Sequence, residues 1–255
     1  MDFDNNTLKK AFTFRFYAGL NDFLPSEKKQ KPFVQFFKTP VTVRETIESM
    51  GIPLSEVNLV IVNGISSALN KQLRNGDRVA VYPEFEGIDV SPVSKLRKPK
   101  PLKHTSFILD SHLGKLAKYL RMLGFDSLYD NNFADEEIIL KALKDNRIIL
   151  TRDKLLLKSP VVMHGYYVRA TDKHEQLREI VQKFNLYCQF KSFTRCMTCN
   201  SILIQVTKKE LPVKPDQQII ATYNKFFFCR QCNKLFWKGS HFIRMEIYIR
   251  NLLQA

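Results

Sequence analysis

Residues Thr105 to Asp153 read TSFILDSHLGKLAKYLRMLGFDSLYDNNFADEEIILKALKDNRIILTRD, and the reading of this stretch decides the fold. Phe107, Ile108 and Leu109 make a short apolar run that stops on Asp110. Leu113, Leu116, Ala117, Leu120 and Leu123 recur at helical spacing, and Gly124 stands where that helix closes. Ser127–Tyr129 suits a second short strand. Ala134–Lys144 suits a second helix with Ile138, Ile139, Ala142 and Leu143 turned inward, and Ile148–Leu150 a third strand running into Thr151, Arg152 and Asp153. Short apolar strands alternating with helices predict an α/β fold with a parallel sheet, whose sites lie beyond the carboxyl ends of the strands. Asp110 and Asp153 both fall there.

Downstream, Lys154–Lys158 reads as a helical turn ended by Pro160, and Tyr166–Arg169 as a fourth strand. Thr171-Asp172 opens a helix through Phe184, so Asp172 occupies a strand-to-helix corner like that of Asp110. Carboxylates gathered at one sheet edge suit hard cations such as Mg²⁺ or Mn²⁺, and those ions suit phosphate chemistry. The rival reading makes each aspartate a helix N-cap. Asp135 and Glu136 open an Asp-Glu-Glu triplet, which a helix dipole favours with or without a metal. Lys115, Lys118 and Arg121 recur every three residues, as a phosphate track or as a solvated helix face. Arg152, between Thr151 and Asp153, is placed to reach a phosphate. None of the five histidines, His112 included, has a convincing partner, so no general base is assigned.

The cysteines give the sharpest chemical signal. Cys196-Met-Thr-Cys199 and Cys229-Arg-Gln-Cys232 are two knuckles, each offering two thiolates on one tight turn. Four thiolates complete a closed tetrahedral Zn²⁺ shell with no position left for substrate, so this zinc is expected to be structural. Cys188 is left over. Phe226, Phe227, Phe228, Phe236 and Trp237 surround the second knuckle, with Lys225, Arg230, Lys234 and Lys238 interleaved. Aromatics and cations together suit single-stranded RNA, although a small ribbon also needs aromatics for its core.

Ahead of this region, FTFRF (12–16) alternates as a strand, Val41–Val43 offers another, and Thr42 caps a helix over Val43–Met50. Val57–Val62 and Arg78–Tyr82 are strands bounded by the turns Asn63-Gly64 and Asn75-Gly76-Asp77. Strands, one helix, and further strands joined by tight turns predict an α+β, β-grasp arrangement. Ile88–His104 holds three prolines and five Lys/Arg against one acid, which reads as an extended basic linker that either touches RNA or is solvated.

The chain has 255 residues, 44% of them apolar, enough for one large domain or for two to three small ones with cores of their own. No apolar run reaches the roughly 20 residues of a membrane span, and MDFDNNTLKKAF lacks a secretory core, so the expected location is the cytoplasm, without membrane partners. The formal net charge is +15, unevenly spread. Residues 188–255 carry 11 basic and 3 acidic side chains, whereas 105–187 carry 13 and 11. A basic module beside a balanced acidic one suits a polyanionic substrate.

ILDSHLGKLAKYLRMLGFD, followed by LTRDKLLL, the four-cysteine segment and GSHFIRM, resembles the Mut7-C family of PIN-like ribonucleases, over roughly Ser106 to Met245. VNGISSALNKQLRNGDRVAVYPEFEG resembles the sulfur-carrier branch of ubiquitin-like proteins, and the N-terminal region resembles the ubiquitin-like domain that precedes Mut7-C. Carriers of that branch end in a free Gly-Gly; here Gly87 is followed by further chain, so a docking or substrate-positioning role is expected. The resemblance implies a ubiquitin-like domain (10–88), a linker (89–104), a PIN-like nuclease core (105–187) and a zinc ribbon with C-terminal helix (188–255). It implies metal-dependent RNA cleavage by Asp110, Asp135 or Glu136, Asp153 and Asp172, with Asp110 and Asp153 as Mg²⁺ or Mn²⁺ ligands. His241 and Arg244 fall in its last motif, either near the substrate or in packing. An RNA-binding adaptor without turnover and a DNase are the alternatives.

Overall fold

The computed structural model describes residues 9–38, 40–85, 88–96, 104–213 and 215–254. The chain divides into two compact units, residues 1–103 with 153–167, and residues 104–152 with 168–255. Gly87 and residues 97–103 of the expected linker lie outside the described residues.

In the first unit, β1 (Lys9–Phe16) turns Phe12, Phe14 and Phe16 to one side, each at most 1% exposed. β1 pairs antiparallel with β2 (Phe33–Lys38). α1 (Val43–Ser49) contributes Val43 and Ile47 to the same core. β3 (Leu59–Val62), β4 (Ile65–Ser66) and β5 (Arg78–Tyr82) complete a five-stranded sheet of order β2-β1-β5-β3-β4, in which β1 and β5 run parallel. The strand expected at Val41–Val43 is reduced to an isolated Thr42–Gln72 bridge. Thr42 is engaged instead in a capping box with Glu45, worth about 1 kcal/mol. β2 has no counterpart in the sequence reading: Val34 and Phe36 lie on its exposed face, so apolar residues occupy both faces and the period-two signal disappears.

The second unit is built on β6 (Ser106–Leu109), α2 (Gly114–Met122), β7 (Asp126–Tyr129), α3 (Asp135–Asp145) and β8 (Ile148–Thr151). β6 lies between β7 and β8 and runs parallel to both, with Phe107 opposite Ser127 on one side and Ile148 on the other. Phe107, Ile108 and Leu109 are fully buried, as a central parallel strand covered on both faces requires. α4 (Lys154–Leu157) and β9 (Gly165–Tyr167) follow in sequence but belong to the first unit, where the Tyr167 N–H donates to Glu56 Oε1 at 2.7 Å and Phe23 meets the Tyr167 ring. α5 (Lys173–Lys183) returns to pack on α2.

β10 (Ile204–Val206), α6 (Gln217–Thr222), β11 (Phe226–Cys229), β12 (Lys234–Trp237) and α7 (Ser240–Gln254) complete the second unit. The three strands form an antiparallel sheet, order β10-β11-β12, over a small core of Val206, Phe226 and Phe228. This ribbon is tied to the parallel sheet. The Lys191 and Phe193 N–H groups donate to the carbonyls of Leu123 and Met122, each at 2.9 Å. Tyr248 of α7 packs against Tyr119 of α2 and His174 of α5. Burial there pushes the Tyr248 hydroxyl up to about 12.

Candidate active site and metal centre

The chain leaves β6 for β7 on one side and then crosses to β8 on the other, so the strand order reverses between β6 and β8. Crevices at such a reversal, beyond the carboxyl ends of the strands, are where open α/β sheets bind ligands. Asp110 stands there. Its Oδ2 accepts from the Thr151 hydroxyl and from the Arg152 N–H (2.7 Å), and its Oδ1 from the His112 N–H (2.8 Å). The Asp110 N–H donates to Leu150 O at 3.2 Å. One carboxylate thus bridges the ends of two strands and caps the turn after β6, at 4% exposure.

Beside this bridge lies an open groove of about 610 Å³ lined by Ser111, His112, Lys115, Lys118, Tyr129, Asp172 and Lys173, among others. Tyr129 forms one wall, its hydroxyl donating to Ser111 O at 3.1 Å. Gly114 makes room for it: a Cβ there would stand 2.5 Å from the Tyr129 hydroxyl oxygen. Asp172 caps α5, accepting from the His174 and Glu175 N–H groups, and those two bonds hold its carboxyl below the usual range. Three lysines against one acid leave the groove electropositive.

The other sequence candidates do not line this groove. Asp153 caps α4, accepting from the Leu155 N–H at 2.7 Å. Asp135 and Glu136 are exposed in the first turn of α3. Arg244 is exposed on α7, while His241 lines a different groove, beside the ribbon. The expected stripe of three cations is corrected to two. Arg121 is 3% exposed, its guanidinium donating to the carbonyls of Ser127 (2.9 Å), Met197 (3.3 Å) and Thr198 (2.8 Å). A step of three residues turns about 60° short of a full circle, so Arg121 sits about 120° from Lys115 and one turn beyond buried Ala117. The Arg152 guanidinium is also engaged, its Nη1 donating to the carbonyls of Val168, Arg169 and Ala170.

The four cysteine sulfurs lie within 4.8 Å of one another, with Cys196–Cys232 at 3.6 Å and Cys199–Cys229 at 3.3 Å. Zn–S bonds of about 2.3 Å in a tetrahedron place sulfurs about 3.8 Å apart, so the cluster could hold a zinc ion. Among the described residues it is the sole group of three or more candidate metal ligands. Each knuckle ends on a left-handed asparagine, Asn200 (φ 72°) and Asn233 (φ 54°), a C-x₂-C-N repeat that the sequence reading passed over. Asn200 also anchors the ribbon: its Oδ1 accepts from the Ser127 N–H on β7, and its Nδ2 donates to Asp126. Asp126 gathers Arg147 (2.7 Å) and Arg195 (3.4 Å) as well.

A ubiquitin-like unit, and a parallel-sheet unit with an acid at its switch point and a four-cysteine ribbon attached, define the class. The comparisons agree with this. A family model described as the Mut7-C RNAse domain matches residues 105–249, and one described as Mut7-C ubiquitin matches residues 9–89. The chain belongs to the Mut7-C RNase domain family and carries that family's ubiquitin-like domain at its N-terminal side. No curated protein matches it. No helix among the described residues is long and apolar enough to cross a membrane.

Proposed function

We propose that this protein is a metal-dependent ribonuclease, PIN-like in its parallel-sheet unit, that hydrolyses phosphodiester bonds at the carboxyl ends of β6 and β8. The observation that carries the reading is the position of Asp110 at the switch point, in a chain whose second unit matches an RNase family. Three donors fix its carboxylate before any substrate arrives, the preorganisation a reaction centre needs. Lys115, Lys118 and Lys173 line a track for the phosphates of the strand. Mg²⁺ keeps most of its waters and takes one or two carboxylates. Asp110 with one further acid from Asp172, Asp135 or Glu136 therefore suffices as protein ligands. Bound there, Mg²⁺ or Mn²⁺ would supply a Lewis acid and a water of lowered pKa. RNA is favoured over a small phosphoester by the net charge of +15. The ubiquitin-like unit would serve as a docking module, with Val34 and Phe36 of β2 presenting apolar surface to a protein partner.

One observation favours a binding-only adaptor: the three hydrogen bonds at Asp110 are also those of a structural cap and strand bridge. Labelled single-stranded RNA, hairpin RNA and matched DNA, incubated with purified protein in Mg²⁺ or Mn²⁺, separate the readings. The nuclease reading predicts RNA cleavage that weakens about tenfold or more in a Lys115→Ala/Lys118→Ala variant, through lost phosphate contacts. Tight binding of intact RNA would make the protein an adaptor, and DNA cleavage alone would make it a DNase.

A further inference from the structure

A second groove, of about 380 Å³, lies between the ribbon and the start of α7, on the four-cysteine half of the unit rather than at the ends of the parallel strands. Its volume is within the range of small-ligand sites, about 300–1,000 Å³. Part of its wall is the ribbon face that the ribbon's own core does not use. Phe226 and Phe228 point into that core, whereas Phe227 and its cross-strand partner Phe236 point to the opposite face and are only half-buried. Phe242 closes the other side, its ring tilted against that of Phe193 with centroids 4.3 Å apart. Trp237, the cross-strand partner of Phe226 and packed against the ribbon core, reaches the groove as well, its indole nitrogen 3.0 Å from where a Cβ on Gly239 would lie. No acidic residue lines the groove. The Lys238 ammonium lies 5.2 Å from the centre of the Phe242 ring, His241 stands at the rim, and residues 188–255 carry a net charge of +8.

We propose that this groove takes unpaired nucleobases of the RNA strand between Phe236, Trp237 and Phe242, while the surrounding cations hold the flanking phosphates. Flat apolar walls ringed by positive charge are what a single strand needs: every base has a stackable face, and every linkage a charge. An apolar protein segment would gain from the walls but nothing from the cations, so charge complementarity selects the nucleic acid. The inference rests on the ribonuclease reading and narrows it, because it makes the substrate single-stranded next to the ribbon.

Trp237 is the only tryptophan in the chain, so tryptophan fluorescence reports on the ribbon where it lines this groove. The full-length protein, in buffer free of divalent ions so that no cleavage occurs, is titrated with a short single-stranded RNA, the same RNA as a blunt duplex, and inorganic polyphosphate. The single strand is expected to quench the emission, whereas the duplex and polyphosphate leave it unchanged. Phe236→Leu keeps an apolar residue on the outer face and is expected to weaken single-strand affinity about tenfold, the scale of one lost base stack. Equal quenching by polyphosphate, no quenching by RNA, or unchanged affinity in Phe236→Leu overturns the proposal. Quenching by an amphipathic peptide in place of RNA would give the groove a protein occupant and overturn it too. Quenching by RNA that is never cleaved would remove the nuclease reading and leave the base groove standing.

Discussion

Asp110 carries both structure and proposed chemistry, and Thr151 separates the two. The buried Thr151 hydroxyl donates to Asp110 Oδ2 and lines neither of the two grooves described above. Thr151→Val keeps the shape and removes the donor, so thermal or urea melts should show a loss of about 1–3 kcal/mol. As a positioning residue it should also lower the rate of RNA cleavage about tenfold or more while leaving KM for RNA nearly unchanged, because phosphate contacts are intact. A purely structural Asp110 predicts the stability loss without the change in rate. The sequence exposed Asp110 because an apolar strand ended on it. It could not expose Thr151 or Arg121, since a hydroxyl in a strand and a cation on a helix read as polar surface until neighbouring strands and knuckles supply partners.

At the scale of elements, the parallel strands and their helices were legible to within a residue or two, because hydrophobic periodicity was strong and each helix carried its stop. β2 was not legible, its two faces being equally apolar, and neither was the grouping of residues 153–167 with the first unit, which depends on distant contacts such as Glu56 with Tyr167. Gly124 ends α2 at φ +97°, where a Cβ would stand 2.2 Å from Lys191 O. Gly124→Ala therefore combines backbone strain with a clash against a backbone carbonyl. It should destabilise the protein by about 2 kcal/mol or more in chemical denaturation. Asp126 joins β7 to the ribbon through Arg195 and Asn200, and to the residue before β8 through Arg147. Burial alone would raise its pKa, but the hydrogen bonds from Arg147 and Asn200 and the charges of Arg147 and Arg195 outweigh burial and lower it. A carboxyl lowered in the folded state stabilises above its unfolded pKa of about 3.9, and that contribution is lost as pH falls through the folded value. The difference in melting temperature between wild type and Asp126→Asn should thus be full at pH 6–7 and shrink below pH 4.

At the scale of the molecule, charge and a four-thiol cluster organise the second unit. Four thiols converge on one point; Cys232 is pushed up to about 12 by burial and by hydrogen bonding to Cys229 and its neighbours. A zinc ion would draw the protons off together and make folding of the ribbon depend on it. One zinc per chain is expected by elemental analysis. Its removal with a strong chelator should lower the thermal stability of the second unit, because the knuckle carbonyls of Met197 and Thr198 are what the buried Arg121 of α2 donates to. Unchanged melting after complete zinc loss would mean that the ribbon stands without metal. Knuckle spacing made this centre legible in sequence, whereas the apolar groove beside it was not, since the alternation of Phe226, Phe227 and Phe228 between two faces is a property of the sheet. The central claim is tested most directly by RNA cleavage with Mn²⁺ or Mg²⁺, comparing wild type with Asp110→Asn after zinc content and folding have been matched. The account predicts metal-dependent cleavage in wild type and a loss of at least a hundredfold in the variant; cleavage at the wild-type rate by a folded, zinc-loaded Asp110→Asn protein would contradict it.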